Sequence, residues 1–142
     1  MYTCSKTYTD IPFAHRQHKH EGDCSFIHGH NWAITFTFGC KQLDDNGFVI
    51  DFGKLQFIRN WIDECLDHAF VYNADDSKTK QLLKDFPEMF KAYEVDNCSA
   101  ESLAEHAFNK VTALLREHHG SRVALTAVEV REDLKNSARY CS

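Results

Sequence analysis

Residues 28–38 have the sequence HGHNWAITFTF, in which large apolar side chains alternate with small or polar ones. Strict alternation over this length is typical of a β-strand with one face in the core and one face in solvent. The expected inward set is Trp32, Ile34, Phe36 and Phe38. The other elements are predicted from the sequence before and after this strand.

Two more strands are expected beside it. Residues 2–15 are rich in Thr, Tyr, Ile and Phe, which are frequent in strands. On the other side, Asp45-Asn46-Gly47 is a strong hairpin turn signal. The turn predicts a short paired strand over residues 48–50.

Two amphipathic helices are predicted after these strands. Apolar residues recur at helical spacing over residues 53–66 and again after Ser99. Ser99 can cap the second helix, Glu101 favours its first turn, and Gly120 offers a stop. Residues 73–97, between the helices, form a polar insert with a weak helical pattern.

A closing strand is predicted over residues 123–132. Its expected inward face is Ala124, Thr126, Val128, Val130 and Glu132. Because strands come first and hairpins join them, we expect a single α+β domain over residues 1–142. The predicted architecture is an antiparallel β-sheet with two helices packed on one face.

Composition and charge exclude several classes of protein. The chain is 43% apolar and 26% charged, with 6 Gly and 2 Pro, which argues against disorder. With 16 basic and 21 acidic residues, its net charge is −5, and no basic stripe suggests nucleic acid as a partner. No apolar run reaches the length of a membrane helix. The six cysteines lack any Cys-x-x-Cys pair, so we expect reduced thiols in the cytoplasm rather than a disulfide framework.

Histidines mark the first candidate site. His28 and His30 lie two residues apart on a predicted strand, so their imidazoles project from the same face and can converge on one cation. His15 ends the first predicted strand and could supply a third nitrogen. Three protein ligands with an open fourth position are the arrangement of a catalytic zinc.

A cysteine lies close to these histidines. Cys24 precedes His28 by four residues, in a loop that also holds His18 and His20. A thiol near zinc has a lowered pKa and can act as a base or nucleophile. The alternatives are a fourth, structural zinc ligand or an inert loop cysteine, and spacing alone leaves the ligand set open.

Two acidic positions complete the candidates. Asp67 precedes His68 at the end of the first predicted helix, and an acid beside a histidine can orient a general base. Glu132 ends the closing strand beside Val130, where its carboxylate could accept two parallel hydrogen bonds from a ring N–H and an amino group. The alternative for Glu132 is an exposed residue at a strand end.

Five motifs occur in order over roughly residues 5–132. They are Phe13-Ala14-His15-Arg16, Cys24-x-x-x-His28-Gly29-His30-Asn31, Val49-Ile50-Asp51-Phe52, Leu66-Asp67-His68 and Val130-Arg131-Glu132. Together they resemble the 6-pyruvoyl-tetrahydropterin synthase / 6-carboxytetrahydropterin synthase family of the tunnelling fold. The resemblance implies that subunits trimerise into a β-barrel and stack into a homohexamer, a dimer of trimers with active sites between subunits.

The resemblance also implies residue roles. His15, His28 and His30 would hold zinc, and Cys24 would be the catalytic base. Asp67 and His68, from a neighbouring subunit, would form a relay with Cys24, and Glu132 would anchor the pterin ring. Residues 97–101 resemble the family's Asn-Pro-Thr-Ala-Glu helix start, with Cys98 and Ser99 in place of Pro and Thr. Pterin contacts are therefore expected for Ser99 and Glu101.

The implied substrate is 7,8-dihydroneopterin triphosphate. The three-residue gap between Cys24 and His28 resembles the carboxy branch on the route to queuosine. That branch is a lyase that forms 6-carboxytetrahydropterin and releases triphosphate and acetaldehyde. The pyruvoyl branch, which eliminates triphosphate, stays open as an alternative. A second alternative is a non-catalytic zinc module with Cys24 as fourth ligand, which gives no role to Asp67, His68 or Glu132.

Overall fold

The computed structural model describes all 142 residues and contains six β-strands and three α-helices. The strands are β1 (Tyr2–His15), β2 (His28–Cys40), β3 (Ala69–Asn73), β4 (Lys91–Val95), β5 (Ala124–Arg131) and β6 (Ser137–Cys141). The helices are α1 (Gln56–Cys65), α2 (Ser77–Asp85) and α3 (Ala100–His119). The α+β class expected from the sequence is confirmed.

All six strands form one mixed sheet in the order β4-β3-β1-β2-β5-β6. The pairs β1–β2, β2–β5 and β5–β6 are antiparallel, as predicted, but β3 pairs in parallel with both β1 and β4. The prediction of a purely antiparallel sheet is therefore wrong at this edge. Parallel neighbours need a crossover connection, and α2 supplies it between β3 and β4. The predicted polar insert, residues 73–97, thus contains a helix and a strand.

The segment predicted as a third strand, residues 48–50, pairs with no other strand. Asp44 closes the turn by accepting hydrogen bonds from the backbone N–H groups of Asn46 and Phe48. The carbonyl oxygen of Val49 accepts a hydrogen bond from the Arg122 guanidinium at 2.8 Å rather than from a neighbouring strand. Val49 and Ile50 still bury their side chains in the core, so the apolar pattern reports burial and not strand pairing.

The strongest predicted elements are confirmed. Trp32, Ile34, Phe36 and Phe38 are at most 2% exposed, and they pack with the apolar faces of α1 and α3 to form the core. Ser99 caps α3 by accepting from the N–H of Ser102 at 3.1 Å, and Gly120 ends it with φ +67°. The first predicted helix begins at Gln56, after a 3₁₀ turn over Phe52–Lys54. No helix combines the length and the apolar character needed to cross a membrane.

A bulge in β1 reverses which of its residues face the core. Tyr8 pairs with Ile34 and Ile11 pairs with Trp32, so Thr9 and Asp10 together lie opposite a single β2 residue. Asp10 accommodates the bulge with φ +58°. Because side chains alternate strictly along a strand, the extra residue brings His15 to the same side as the core.

A second bulge, in β5, corrects the predicted face of that strand. Thr37 pairs with Ala127 and Phe38 with Leu125, which leaves Thr126 as the extra residue. Ala124 is consequently exposed, whereas Leu125, Val128 and Val130 are buried. The alternation predicted from Ala124 onward is therefore wrong before the bulge and right after it, where it leads to Glu132.

Candidate active site

Three histidines converge where β1 ends and β2 begins. Antiparallel pairing places His15 directly opposite His28, and His30 follows on the same face. The ring centroids are 4.7, 5.3 and 4.9 Å apart. One nitrogen from each ring lies within 4.8 Å of the other two. The structure therefore brings together the predicted trio, which could hold a metal ion.

Backbone carbonyls orient two of the three rings. Nδ1 of His15 lies 2.8 Å from the carbonyl oxygen of Cys98, and Nδ1 of His28 lies 2.7 Å from that of Phe26. A carbonyl oxygen only accepts, so each Nδ1 carries the proton and donates it. Each Nε2 is left with a free lone pair, as is usual for histidines that ligate metals.

The environment of these nitrogens fits a zinc ion. Nε2 of His15 and Nε2 of His30 are buried and have no hydrogen-bond partner within the protein. Burial lowers the pKa of His15 to about 4; the bond to Cys98 opposes this shift, and the neighbouring His28 and His30 add to it. His15 is thus neutral at pH 7, as metal binding requires. Neutral imidazoles are preferred zinc ligands.

A cavity of about 390 Å³ opens beside His15. It is lined mainly by polar residues from the loop after β1, the start of α3 and the β5–β6 hairpin: Gln17, Cys24, Ser99, Ala100, Glu101, Glu132, Lys135, Asn136 and Ser137. The residues predicted as base, ring anchor and further substrate contacts therefore share one cavity with the first histidine.

Cys24 lies in a 3₁₀ turn, Asp23–Ser25, within the loop over residues 16–27 that we name the Cys24 loop. The residue is exposed. Its carbonyl oxygen accepts a hydrogen bond from the backbone N–H of Gln17 at 2.8 Å, which ties the two ends of the loop together. All six cysteines of the chain are free thiols.

Glu132 follows β5 directly, and its backbone N–H donates to the carbonyl of Asn136 at 3.0 Å. Its Oε1 lies 3.3 Å from Nε2 of His30 and 3.5 Å from Nε2 of His15. The side chain is 27% exposed, in keeping with the partial desolvation expected at this strand end. Its closeness to the histidines was not predicted, because it depends on the pairing of β5 with β2.

Asp67 and His68 form a contact with each other but lie elsewhere on the surface. Nδ1 of His68 is 2.6 Å from Oδ1 of Asp67, and the His68 side chain is 82% exposed. His68 has φ +61°, and its backbone N–H donates to the carbonyl of Pro12 at 2.7 Å. Neither residue lines the cavity of its own chain, so their role toward Cys24 stays a prediction that needs a second subunit.

Gln17, Lys135 and Asn136 line the cavity but were not identified as site residues from the sequence. The hairpin after Glu132 is closed by Asp133, whose Oδ1 accepts from the backbone N–H groups of Lys135 and Asn136. These bonds hold the pKa of Asp133 below its usual range, and the bond from Lys135 contributes most. An Asp followed by Asn three residues later is a turn signal that could have predicted the hairpin. Gln17 carries no comparable signal.

Comparison with known proteins extends the match from the site to the whole chain. Residues 3–142 match the family model described as 6-pyruvoyl tetrahydropterin synthase. The 6-carboxy-5,6,7,8-tetrahydropterin synthase of Rickettsia conorii is 32% identical over 112 residues, which is 78% of this chain and 80% of the relative. The enzyme of the same name from Rickettsia bellii is 30% identical over 118 residues, or 82% and 85% of the two chains.

Solved structures share the fold. An uncharacterized protein from Wolinella succinogenes superposes with a TM-score of 0.86 at 22% identity, over 99% of this chain and 98% of that one. The 6-pyruvoyl tetrahydropterin synthase of Caenorhabditis elegans gives a TM-score of 0.64 at 22% identity, over 99% and 95%. The chain therefore belongs to the 6-pyruvoyl tetrahydropterin synthase family, and its sheet and helices form the tunnelling fold that the motifs predicted.

Proposed function

We propose that this protein is a zinc-dependent 6-carboxy-5,6,7,8-tetrahydropterin synthase, a lyase of the route to queuosine and related 7-deazaguanines. It converts 7,8-dihydroneopterin triphosphate and one water molecule to 6-carboxytetrahydropterin, triphosphate and acetaldehyde. One observation carries the proposal: a single cavity joins Cys24 and Glu132 to the histidine cluster at His15. Relatives at least 30% identical that bear this enzyme name support the choice of reaction.

The Nε2 atoms of His15, His28 and His30 would hold the zinc. When bound, zinc supplies Lewis acidity toward the hydroxyl oxygens of the substrate's side chain at C6. The carbonyls of Cys98 and Phe26 keep two of the rings oriented for this task.

Cys24 is the base of the proposed reaction. Its thiolate would move a proton on the substrate side chain while triphosphate leaves and the side chain rearranges. Cys98, the other cysteine near the site, is unsuited to this role because burial raises the pKa of its thiol to about 11. Its Sγ donates instead to the carbonyl of Arg16 at 3.2 Å. Cys24, by contrast, lies in an exposed turn.

The remaining cavity residues would hold the substrate. The Glu132 carboxylate would accept the ring N–H and amino group of the pterin as a two-pronged acceptor. Ser99 and Glu101, at the start of α3, would contact the ring from the other side of the cavity. Lys135 is the one Lys or Arg side chain lining the cavity, and its ammonium group suits the triphosphate.

Asp67 and His68 of a second subunit would complete the relay with Cys24. The sheet has open edges that support such assembly. Because β3 pairs with β1 only at Phe13 and Ala14, the rest of β1 has no strand on that side, and β6 forms the far edge of the sheet. Open edges of this kind need cover. Closure of three sheets into a barrel, with two trimers stacked into a homohexamer, would supply it.

Mass spectrometry of the products formed from 7,8-dihydroneopterin triphosphate tests the proposal. The expected products are 6-carboxytetrahydropterin, triphosphate and acetaldehyde in equal amounts. Accumulation of 6-pyruvoyl-tetrahydropterin without acetaldehyde would replace the carboxy assignment with the pyruvoyl one. A zinc-loaded protein that neither binds nor converts the substrate would favour the structural zinc module.

A further inference from the structure

The side chain of Asn73, the last residue of β3, is buried and bonded in three directions. It is 2% exposed. Its Oδ1 accepts from the backbone N–H of Cys98 at 2.7 Å, and its Nδ2 lies 3.3 Å from both Oε1 of Gln17 and Nδ1 of His18. Since a backbone N–H only donates, the oxygen must face Cys98 and the nitrogen must face the Cys24 loop.

Each side of this carboxamide leads to a different part of the site. On the oxygen side, Cys98 uses its own carbonyl to orient Nδ1 of His15 at 2.8 Å. On the nitrogen side, the backbone N–H of Gln17 holds the carbonyl of Cys24 at 2.8 Å. One buried side chain therefore braces both the segment that orients a metal ligand and the loop that carries the base.

Asn73 is held by a strand within the sheet. β3 lies inside the sheet, with β1 on one side and β4 on the other, and Asn73 itself pairs with Val95. Groups held from a packed strand keep tighter geometry than groups held from a loop. A displacement of about 1 Å between reacting groups can reduce a rate about 100-fold.

We propose that Asn73 is a positioning residue that sets the distance between Cys24 and the histidine cluster. The inference rests on the proposed function for the roles of Cys24 and His15. Asn73 acts only through the Cys24 loop and the Cys98 segment, and it lines no part of the cavity.

A nearby buried contact provides a matched control. Asp76 accepts from Oγ1 of Thr79 at 2.6 Å and from Nε of Arg16 at 2.8 Å. Thr79 is as buried as Asn73, at 2% exposed. Its side chain forms a hydrogen bond with Asp76 and none with Cys98 or Gln17. Thr79→Val therefore removes a buried hydrogen bond beside the same loop and leaves the bonds of Asn73 to Cys98 and to the Cys24 loop intact.

The test compares Asn73→Asp, Asn73→Leu and Thr79→Val in the zinc-loaded protein. Asn73→Asp keeps the acceptor for Cys98 and removes the donor to the Cys24 loop, whereas Asn73→Leu removes both. Three quantities are measured: zinc per chain, the rate of Cys24 alkylation by iodoacetamide at the peptide level, and kcat and KM for 7,8-dihydroneopterin triphosphate. Cys24 in the same protein unfolded in urea is the reference for alkylation.

For Asn73→Asp we expect retained zinc, a changed Cys24 alkylation rate, KM close to that of the parent and a kcat at least about tenfold lower. Asn73→Leu should in addition weaken zinc binding about tenfold, because the segment that orients His15 is released. Thr79→Val should match the parent in alkylation and kcat. A loss of stability alone would affect the Asn73 and Thr79 variants alike.

Parent-like alkylation and kcat in both Asn73 variants would overturn the proposal. If neither variant folds, Gln17→Met replaces them. It removes the acceptor for Nδ2 of Asn73 and the bond from Nε2 of Gln17 to Oδ1 of Asn97, and it leaves the bond between Asn73 and Cys98 in place. Unchanged Cys24 alkylation in that variant overturns the proposal equally. Alkylation and zinc content require no substrate. A parent protein without turnover would therefore refute the proposed function while leaving the role of Asn73 measurable.

Discussion

Oε1 of Glu132 lies 3.3 Å from Nε2 of His30, although His30 belongs to β2 and Glu132 directly follows β5. The candidate ring anchor therefore forms one wall of the candidate metal site. The groups proposed for ring recognition and for activation of the substrate side chain are therefore adjacent.

Replacing Glu132 by Gln should weaken substrate binding by about 2–4 kcal/mol, because one charge-assisted bond is lost and a donor is left unpaired. The effect should appear mostly in KM. Glu101→Gln, at an exposed position of α3, is the matched control and should have a smaller effect. A normal KM in Glu132→Gln combined with a raised KM in Glu101→Gln would assign the ring anchor to the other carboxylate.

Replacing His28 by Ala should remove most zinc from the purified protein, since two of the three ring nitrogens remain. Zinc content per chain, measured by plasma mass spectrometry, checks this. His118→Ala, at the exposed end of α3, is the control and should retain full zinc. Full occupancy in His28→Ala would defeat the assignment of the three ligands.

Cys24→Ala should keep the fold and the zinc but lose turnover about 100-fold or more, as expected when a general base is removed. Steady-state kinetics and zinc analysis on the same preparation check both halves. Cys141→Ala, another exposed cysteine, should have parent activity. Loss of zinc in Cys24→Ala would favour the structural zinc module instead.

The active protein should have a mass near six times that of the 16.4 kDa chain. Open sheet edges and a relay pair that lies outside its own cavity are the physical reasons. Light scattering coupled to size exclusion, with activity measured across the peak, checks the expectation. An active species of one chain would contradict both the barrel and the sharing of Asp67 and His68 between subunits.

Asp76 should make stability depend on pH. Burial raises the pKa of this carboxyl, but hydrogen bonds from Thr79 and Arg16 outweigh it and hold the pKa below its ordinary value. Such a group stabilises the fold above its unfolded pKa, and the contribution is lost as pH falls through the lower folded value. Asp76→Asn should therefore lower the free energy of unfolding at pH 7.

Urea unfolding of the parent and Asp76→Asn at pH 7 and at about pH 3 checks this, since the unfolded pKa of Asp is about 3.9. The difference between the two proteins should be about 1–3 kcal/mol at pH 7 and should shrink at the lower pH. Asp63→Asn, which removes an exposed partner of Arg59, should show little difference at either pH. A pH-independent difference for Asp76→Asn would contradict the linkage.

Local patterns in the sequence were enough for β2, α3 and the pair His28 and His30, because each depends on neighbours two to four residues away. His15 joins this pair only through the pairing of β1 with β2. The parallel strands β3 and β4 were missed because their pairing is decided by partners far along the chain. The same limit applies to Asn73 and Cys98, whose contact joins residues 25 positions apart in sequence. The orientation of Glu132 was predicted correctly past the β5 bulge, but its approach to His30 follows from the folded sheet alone.

The bulge at Thr9 and Asp10 determines whether His15 lies on the same face of the sheet as the other two histidines. If the same residues of β1 paired with β2 without the bulge, the strand would alternate without interruption from Tyr8 onward, and His15 would turn to the opposite face of the sheet together with Ile11 and Phe13. All three histidines would still be encoded, yet they could no longer meet. The capacity to bind a metal ion thus depends on one irregularity in strand pairing as much as on the residues that supply nitrogen.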